Sequence, residues 1–313
     1  MLVRLAIFGM LLVLAVPTVA YAGAEPTPSP SPSGRETLSQ AWWTGPMLAP
    51  GAGTLPHGHV LVEPYVYDVM ESHANGFGSL TYVIYGLTDR LSVGAIPTAG
   101  YDIPSNGPRS SSVGLGDLGV LAQYRLSQYQ PGSWVPTTSV AVEETFPTGA
   151  YDQLGTRPSD GFGSGVYTTK VSLYMQDYAW MPNGRILRLR LNLSQSFSSH
   201  ANVDGVSVFG TSDGFEGSVK PGNALSIDAS AEYSMTSNWV LASDVVYGDN
   251  DNTRLTGNTG VTDLGASTSW ALAPAIEYNW TPNLGILVGV RLIPTGHNTT
   301  ASVTPAIAVN YVH

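Results

Sequence analysis

Residues 185–197 read RILRLRLNLSQSF, with apolar and polar side chains alternating along them. One face of the extended chain would carry only leucines, Leu187, Leu189, Leu191 and Leu193. The opposite face would carry Arg188, Arg190, Asn192 and Ser194. A period of two predicts a β-strand whose two faces meet different surroundings. The alternation recurs over residues 225–234 and 269–278, each with a tyrosine near its end, as in the wall of a membrane barrel.

The chain is poor in charge, since Asp, Glu, Lys and Arg make up only 12% of its 313 residues. A typical soluble domain carries about 25% charged residues. Beyond the first 20 residues, no stretch is apolar for the roughly 18 positions that a membrane helix needs. Alternating strands account for both facts, because alternation hides an apolar wall from any continuous window of sequence.

Charge and cysteine content exclude several classes of function. The net charge of −10 argues against a nucleic-acid partner, because binding to phosphates needs a basic face. The absence of cysteine excludes disulfides, thiolate chemistry, cysteine-ligated metals and a lipoprotein anchor. We therefore predict neither a cofactor nor a metal site.

The N-terminal region predicts export. Arg4 precedes the apolar run Leu5–Val16, and Ala20-Tyr21-Ala22 provides a small-x-small cleavage pattern, so residues 1–22 are expected to be a signal peptide. Residues 23–58 are rich in Pro, Ser and Gly and are expected to form a periplasmic segment before a barrel at 59–313. The tryptophans within 40–58 leave open whether that stretch docks in the lumen, at the barrel mouth or at the lipid interface.

Two repeated motifs predict the topology. An aromatic residue followed by a tight polar turn recurs at Tyr85, Tyr124, Tyr178, Tyr233 and Tyr278, which we expect to form an aromatic girdle. Pro-Thr pairs at 97–98, 147–148 and 294–295 mark the opposite rim, where proline is expected to end the ladder because it has no N–H to donate. Five short turns, with both termini on one side, imply six outer loops and about twelve strands.

We therefore predict an all-β fold: a transmembrane, antiparallel, up-and-down β-barrel of about twelve strands with short periplasmic turns and longer outer loops. Strands are expected near 59–69, 78–87, 91–100, 114–126, 135–147, 165–180, 185–199, 223–235, 239–249, 266–279, 284–295 and 300–313. Such a barrel belongs in the outer membrane of a Gram-negative bacterium. A secreted sandwich or propeller would explain the strands equally well, but it explains the low charge and the unequal rims poorly.

The polar face of these strands supplies the candidate lumen or selectivity residues: Asp117, Arg125, Glu143, Lys170, Arg188, Arg190, Asp228, Glu232, Glu277 and Arg291. Opposite charges on adjacent strands, such as Glu143 beside Lys170 and then Arg188, are expected to pair across the ladder. Two interpretations stay open. These side chains form a ring that selects small solutes, or they form a salt-bridged interior that stiffens a nearly closed barrel.

Other chemistries have weaker support. A lipid hydrolase would need a Ser–His pair. Ser198, Ser199 and His200 are expected near an outer rim and His297 in the last loop, but serines are abundant and nothing in the spacing demands such a pair. Residues 248–252 resemble part of a calcium loop but lack its later glycine and glutamate. His57 and His59 lack a third metal ligand. We predict no catalytic residue.

Several segments resemble the MetA-pathway phenol-degradation family of outer-membrane transporters. They are WTGPMLAP (43–50), LPHGHVLVEPY (55–65), YGLTDRLSVG (85–94), GLGDLGVLAQYRL (114–126) and FPTGAYD (146–152). The resemblance implies a barrel that takes up small aromatic or hydrophobic solutes, and it brings no catalytic residues. Residues 200–265 carry no resemblance that we recognise.

Three functions follow as hypotheses. The first is a channel or transporter for small aromatic or hydrophobic solutes. The second is a structural or adhesion barrel whose outer loops, at 101–113, 148–163, 200–222 and 250–265, bind partners. The third is a barrel lipid hydrolase. The expected partners are outer-membrane lipid, a small solute and the outer-membrane assembly machinery, the last through the C-terminal strand.

Overall fold

A computed structural model describes residues 34–313, which form an almost entirely β protein. The predicted signal peptide at 1–22 lies outside the described residues. Two short 3-10 helices span Leu38–Gln40 and Pro158–Asp160. Within residues 34–313, no helix is both long and apolar enough to cross a bilayer.

The strands are β1 (Val60–Glu71), β2 (Ala74–Thr88), β3 (Leu91–Ile96), β4 (Thr98–Pro104), β5 (Gly114–Leu115), β6 (Leu118–Ser127), β7 (Thr137–Phe146), β8 (Thr168–Trp180), β9 (Ile186–Ser198), β10 (Ala201–Asp204), β11 (Glu216–Lys220), β12 (Ala224–Ser234), β13 (Trp239–Asn250), β14 (Arg254–Gly257), β15 (Gly260–Asp263), β16 (Ser267–Thr281), β17 (Leu284–Ile293) and β18 (Ser302–Val312).

The wall is a closed antiparallel barrel of twelve strands, as the sequence predicts. Each strand pairs with its neighbours in the chain, and β1 closes the ring by pairing with β2 on one side and β18 on the other. Tyr65, for example, lies opposite Leu80 of β2 and opposite Ala308 of β18. Closure leaves no unpaired edge in the wall, as a barrel in lipid requires.

Pro97 interrupts one wall strand without ending it, contrary to our expectation. β3 stops at Ile96, but β4 resumes at Thr98 and continues the same pairing with β2. The Pro97 carbonyl still accepts a hydrogen bond from the Thr81 amide at 3.1 Å. Proline lacks only the donor, so the ladder survives on the side where the acceptor is used. β3 and β4 therefore count as one strand of the twelve.

The two faces of the wall have the polarity of a membrane barrel. Leu189 on the outer face is 42% exposed, whereas Arg188, its chain neighbour, is 2% exposed. The same inversion runs along β18, where Val303, Ile307 and Val309 are exposed while Asn310 is buried. A soluble sandwich would bury the leucines and hydrate the arginine. This wall instead directs its apolar side chains towards lipid.

Four of the predicted girdle tyrosines lie on the outer face and one does not. Tyr85 and Tyr124 are exposed there. Tyr233 and Tyr278 occupy outward positions of their strands, and the Tyr278 ring packs against that of Trp239 at 4.7 Å between centroids. Tyr178 is a correction, because it shares the inward parity of Gln176, whose amide donates to its hydroxyl at 2.7 Å.

The outer loops contain a second sheet that the sequence did not predict. Strands β10, β11, β14 and β15 pair in that order, within regions expected to be loops. A small core lies beneath them, formed by Val166, Ala201, Val203, Val208, Phe209, Phe215, Val219 and Leu255. Arg254 and Asp263 pair across the β14–β15 hairpin at 2.9 Å, and the hydrogen bond from Arg254 lowers the pKa of Asp263.

Candidate functional site

Residues 41–56 fill the periplasmic part of the barrel lumen. They are almost entirely buried, and Ala49, Ala52 and Leu55 have no exposed surface. Apart from a few turn-like bends the segment has no regular secondary structure. Its backbone groups therefore need partners from the wall, since an unpaired buried amide or carbonyl is costly.

The incoming half of this segment is held by side chains of β9 and β16. The Arg188 guanidinium lies over the Trp43 ring at 4.5 Å, a favourable cation–π contact. The Thr44 amide donates to Glu277 Oε2 at 2.6 Å, and its hydroxyl donates to Asn279 Oδ1 at 2.9 Å. These contacts fix the segment about three residues before its tip.

The tip at residues 47–50 is held by three wall side chains. Asp244 accepts hydrogen bonds from the amides of Leu48, at 3.2 Å, and Ala49, at 3.0 Å. Arg190 Nη1 donates to the Ala49 carbonyl at 2.7 Å, and Asn192 donates to the Pro50 carbonyl at 2.9 Å. An aspartate and an arginine thus clamp opposite polar groups of a single peptide turn.

The outgoing half returns to the end from which the segment entered. Gln123 donates to the carbonyls of Gly51 and Gly53, and the Leu55 amide donates to Ser92 Oγ at 2.9 Å. The His57 amide then reaches Asp89, in the turn between β2 and β3, at 3.0 Å. The segment is therefore a loop inserted from the periplasmic end, not a strand threaded through the barrel.

The base of the inserted loop is fixed by Glu36. Its carboxylate accepts hydrogen bonds from Arg185 Nη1 at 2.9 Å, the Ile186 amide at 3.2 Å and Ser234 Oγ at 3.1 Å. The Trp180 indole donates to the Glu36 carbonyl at 2.8 Å. All four partners lie at the short turns after β8 and β12, so the loop is anchored at the periplasmic rim.

The predicted lumen residues form two separate ion-paired groups. Arg188 makes a bidentate contact with Glu232, and Arg190 lies 3.3 Å from the same carboxylate. Lys170 pairs with Glu143 at 2.6 Å, directly across the β7–β8 ladder. The expected continuation from Lys170 to Arg188 is wrong, because Lys170 lies opposite Ser196 and Arg188 opposite Glu232.

The other predicted lumen residues make contacts of their own, and one of them, Glu277, lies close to Glu232 and Arg188 of the first group. Asp117 precedes β6 and accepts hydrogen bonds from Gly149 N and from the amide and hydroxyl of Ser164, so it anchors an outer loop. Arg125 lies at the periplasmic end, where its amide bonds to the Arg90 carbonyl. Asp228 lines a small pocket beside Leu48 and Pro50. Glu277 contacts the inserted loop, as described above.

A larger cavity of about 220 Å³ lies beyond the tip of the loop. Its walls include residues from the barrel, from the tip and from an outer loop, among them Met47, Leu48, Tyr65, Tyr67, Tyr82, Phe162, Lys170 and Arg291. The cavity is thus mainly aromatic and apolar, with a few charged groups, a composition typical of small-molecule sites.

Sequence reasoning missed several residues of this site. Glu63 is fully buried on β1 and accepts a hydrogen bond from Asn310. Its parity, shared with Leu61 and Tyr65 and opposite to that of Val62, is a signal that could have identified it. Glu36 and Phe162 lie outside the barrel strands, where no periodicity marks them. Their roles depend on contacts with residues more than 45 positions away in the chain.

The candidates for a hydrolase pair, Ser198, Ser199, His200 and His297, lie at or just beyond the outer ends of β9 and β17. The Ser199 hydroxyl donates to the His200 carbonyl, not to its imidazole. Among residues 34–313, no serine hydroxyl is hydrogen-bonded to a histidine ring. In the same part of the chain, no three His, Asp or Glu side chains are grouped to hold a metal ion.

Comparison with known proteins identifies one family. The family model described as "Putative MetA-pathway of phenol degradation" matches residues 45–306. The COG4313 outer membrane channel from Pseudomonas putida F1 has a TM-score of 0.65 and 14% identity, over 84% of this chain and 98% of that chain. No curated protein sequence matches the chain.

Two further solved barrels are similar over most of their length. The NanC porin has a TM-score of 0.44 and 12% identity, over 80% of this chain and 98% of that chain. The KdgM porin in complex with disordered oligogalacturonate has a TM-score of 0.42 and 10% identity, over 80% and 98%.

Proposed function

The chain belongs to the MetA-pathway phenol-degradation family and is an outer-membrane β-barrel of a Gram-negative bacterium, and on this premise we propose that it is a gated channel for small aromatic or hydrophobic solutes. The gate is the inserted loop, residues 41–56. The observation that carries the proposal is that this loop fills the lumen and is held there by non-covalent contacts, such as those with the side chains of Asp244 and Arg190.

The path of the loop is suited to a gate. Because both of its ends lie at the periplasmic rim, near Glu36 and Asp89, it can withdraw as a unit without unthreading. Withdrawal would exchange its hydrogen bonds for bonds to water, which costs about 0.5–1.5 kcal/mol for each bond instead of the full strength of the bond. A filled lumen and a transport role are compatible on these terms.

The charged wall residues divide into two proposed roles. The group of Arg188, Arg190 and Glu232 holds the closed loop, and its charges would become a selectivity ring once the loop withdraws. Lys170, Glu143 and Arg291 line the cavity beyond the loop and would meet a solute first. The salt-bridged interior thus describes the closed state, and the selectivity ring describes the open state.

Export and assembly complete the proposal. Residues 1–22 are a signal peptide and residues 23–58 a periplasmic segment whose later part forms the gate. The outer-membrane assembly machinery recognises the terminal strand β18. The outward, apolar side chains of this strand support that role: Val303, Ile307, Val309 and Tyr311.

A reversible disulfide cross-link tests the gate. Because the chain has no cysteine of its own, only the two introduced cysteines can form the disulfide. The double variant A49C/D244C would join the loop tip to β13. Proteoliposomes are loaded and the flux of benzenesulfonate, an aromatic solute that crosses lipid slowly, is measured for the wild type and for the oxidised and reduced variant. Each single-cysteine variant is the matched control.

We expect flux through the wild type and the reduced variant, and its loss on oxidation. Wild-type flux no greater than that of protein-free liposomes, for this and other small aromatic solutes, would reject the channel. Equal flux through the oxidised and reduced variant would reject the loop as its gate.

The outer sheet favours adhesion as the second candidate. Strand β15 is exposed along its whole length and forms an edge of that sheet. An exposed edge can add a strand from a partner. Replacement of residues 254–263 by a short Gly/Ser turn would abolish surface binding under this alternative and leave solute flux unchanged.

A further inference from the structure

Arg291 is a buried cation that is paired with no carboxylate among residues 34–313. It lies on β17 and is 6% exposed, yet among residues 34–313 it forms no hydrogen bond and no ion pair. Its Nε is buried and unsatisfied, and so is Oγ1 of Thr304, the residue directly opposite on β18. Arg188 and Arg190, which are equally buried, both contact Glu232.

An unpaired buried guanidinium is unusual because transfer of a charge from water to a protein interior costs on the order of several kcal/mol. A partner of opposite charge or a hydrogen-bond acceptor normally compensates this cost. Arg291 and Thr304 both line the cavity of about 220 Å³. Two adjacent unsatisfied groups on one cavity wall leave the missing partner to be supplied from within the cavity.

The carboxylates of the cavity do not fill that role. Glu143 is paired with Lys170, and Asp117 is occupied by three hydrogen bonds from outer-loop residues. Asp102 and Glu71 also line the cavity, but neither forms an ion pair with Arg291.

Two aromatic rings that line the same cavity pack directly against glycines of the wall. Gly78 lies opposite Gly100, and Gly100 opposite Gly114, across neighbouring strands. A Cβ at Gly78 would lie 2.3 Å from the Tyr67 ring, and one at Gly100 would lie 2.6 Å from the Phe162 ring. The glycines thus let Tyr67 and Phe162 lie close against the wall, keeping space in the cavity.

We propose that the cavity binds a small aromatic carboxylate, whose anionic group accepts hydrogen bonds from Arg291 and Thr304 and whose ring packs against Tyr67 and Phe162. The planar guanidinium matches a carboxylate in bidentate geometry. The aromatic walls favour a ring over an aliphatic chain of the same charge. The inference rests on the proposed channel function and specifies the class of solute that it passes.

Binding to the purified full-length barrel in detergent tests the site by titration calorimetry. Benzoate is compared with benzyl alcohol, which lacks the carboxylate, and with acetate, which lacks the ring. Three variants are compared with the wild type. R291M keeps a long side chain without the charge, and R291K keeps the charge without the planar guanidinium. T304V removes the hydroxyl of Thr304. R254M, in the outer sheet, is the matched control.

We expect benzoate to bind more tightly than either partial probe. R291M should weaken benzoate binding roughly tenfold to hundredfold, the range for a lost hydrogen bond to a charged group. R291K and T304V should weaken it severalfold, and R254M should not change it. Circular dichroism verifies the fold, and R291K provides the test if R291M does not fold.

Equal benzoate affinity in the wild type and in a folded Arg291 variant would overturn the proposal, as would equal affinity for the three probes. The two proposals fail separately. If the wild type shows flux but benzoate binding does not depend on Arg291, the proposed solute class is rejected and the channel function stands. If binding depends on Arg291 but no flux is found, the binding site stands and the channel function is rejected.

Discussion

Asp244, on the barrel wall, accepts a hydrogen bond from the backbone amide of Ala49 at 3.0 Å, and so fixes the tip of a loop nearly two hundred residues earlier in the chain. A buried carboxylate that serves backbone amides is one way to hold an irregular segment in a lumen. The strength of such contacts sets how readily the loop withdraws, and it can be measured.

Replacement of Asp244 should open the barrel. D244A leaves the amides of Leu48 and Ala49 without an acceptor, which costs about 1–3 kcal/mol for each unsatisfied group. We expect more frequent openings of purified protein in planar bilayers. D249A, on the outer face of the same strand, is the control and should behave as wild type; matching currents from both variants would contradict the role of Asp244.

Loss of Glu36 should loosen the base of the loop. E36Q weakens the contact with Arg185 and one of the bonds to Ile186 N and Ser234. Amide hydrogen exchange over residues 41–56 should become faster, while exchange in the wall strands stays slow. The comparison variant is E216Q, an exposed position of the outer sheet. Unchanged exchange in the loop would show that the tip contacts alone hold it.

The buried Arg188–Glu232–Arg190 group predicts an unequal effect of its members on stability. E232Q removes the carboxylate that two buried guanidinium groups share, whereas R188M leaves Glu232 still in contact with Arg190. Breaking a buried pair costs roughly 3–5 kcal/mol, so E232Q should lower the free energy of unfolding more than R188M does. Urea titration in lipid vesicles measures both. The reverse order would mean that Arg190 does not share the carboxylate.

The outer sheet should respond to acid. The hydrogen bond from Arg254 lowers the pKa of Asp263, so this pair stabilises the β14–β15 hairpin above the usual carboxyl pKa of about 3.9. That stabilisation is lost as the pH falls through the lowered pKa of the folded state. The protection factors of the amides in residues 254–263, which are corrected for the intrinsic pH dependence of exchange, should therefore fall on acidification. R254M should remove this pH dependence, and D213N, in a nearby loop, should preserve it.

The wall of the barrel was predictable from sequence because its signal is local. Whether a side chain faces lipid or lumen depends on its parity along one strand, so the alternation over 185–197 identified the observed strand Ile186–Ser198. The twelve-strand count and closure followed from the turn repeats. Tyr178 failed because the motif that marked it fixes where a strand turns, not which face the residue takes.

The positions of the inserted loop, the outer sheet and the cavity depend on tertiary contacts and were not predictable from the sequence. Thr44 and Glu277, or Gly100 and Phe162, meet across long chain separations, and neither partner shows a periodic pattern that points to the other. The loop has no regular secondary structure, so its position depends on wall side chains that satisfy its backbone one group at a time. The sequence by itself determined that a wall would form with lipid outside. Only the assembled barrel could determine what occupies the inside, because that outcome depends on non-local hydrogen bonds and not on the order of neighbouring residues.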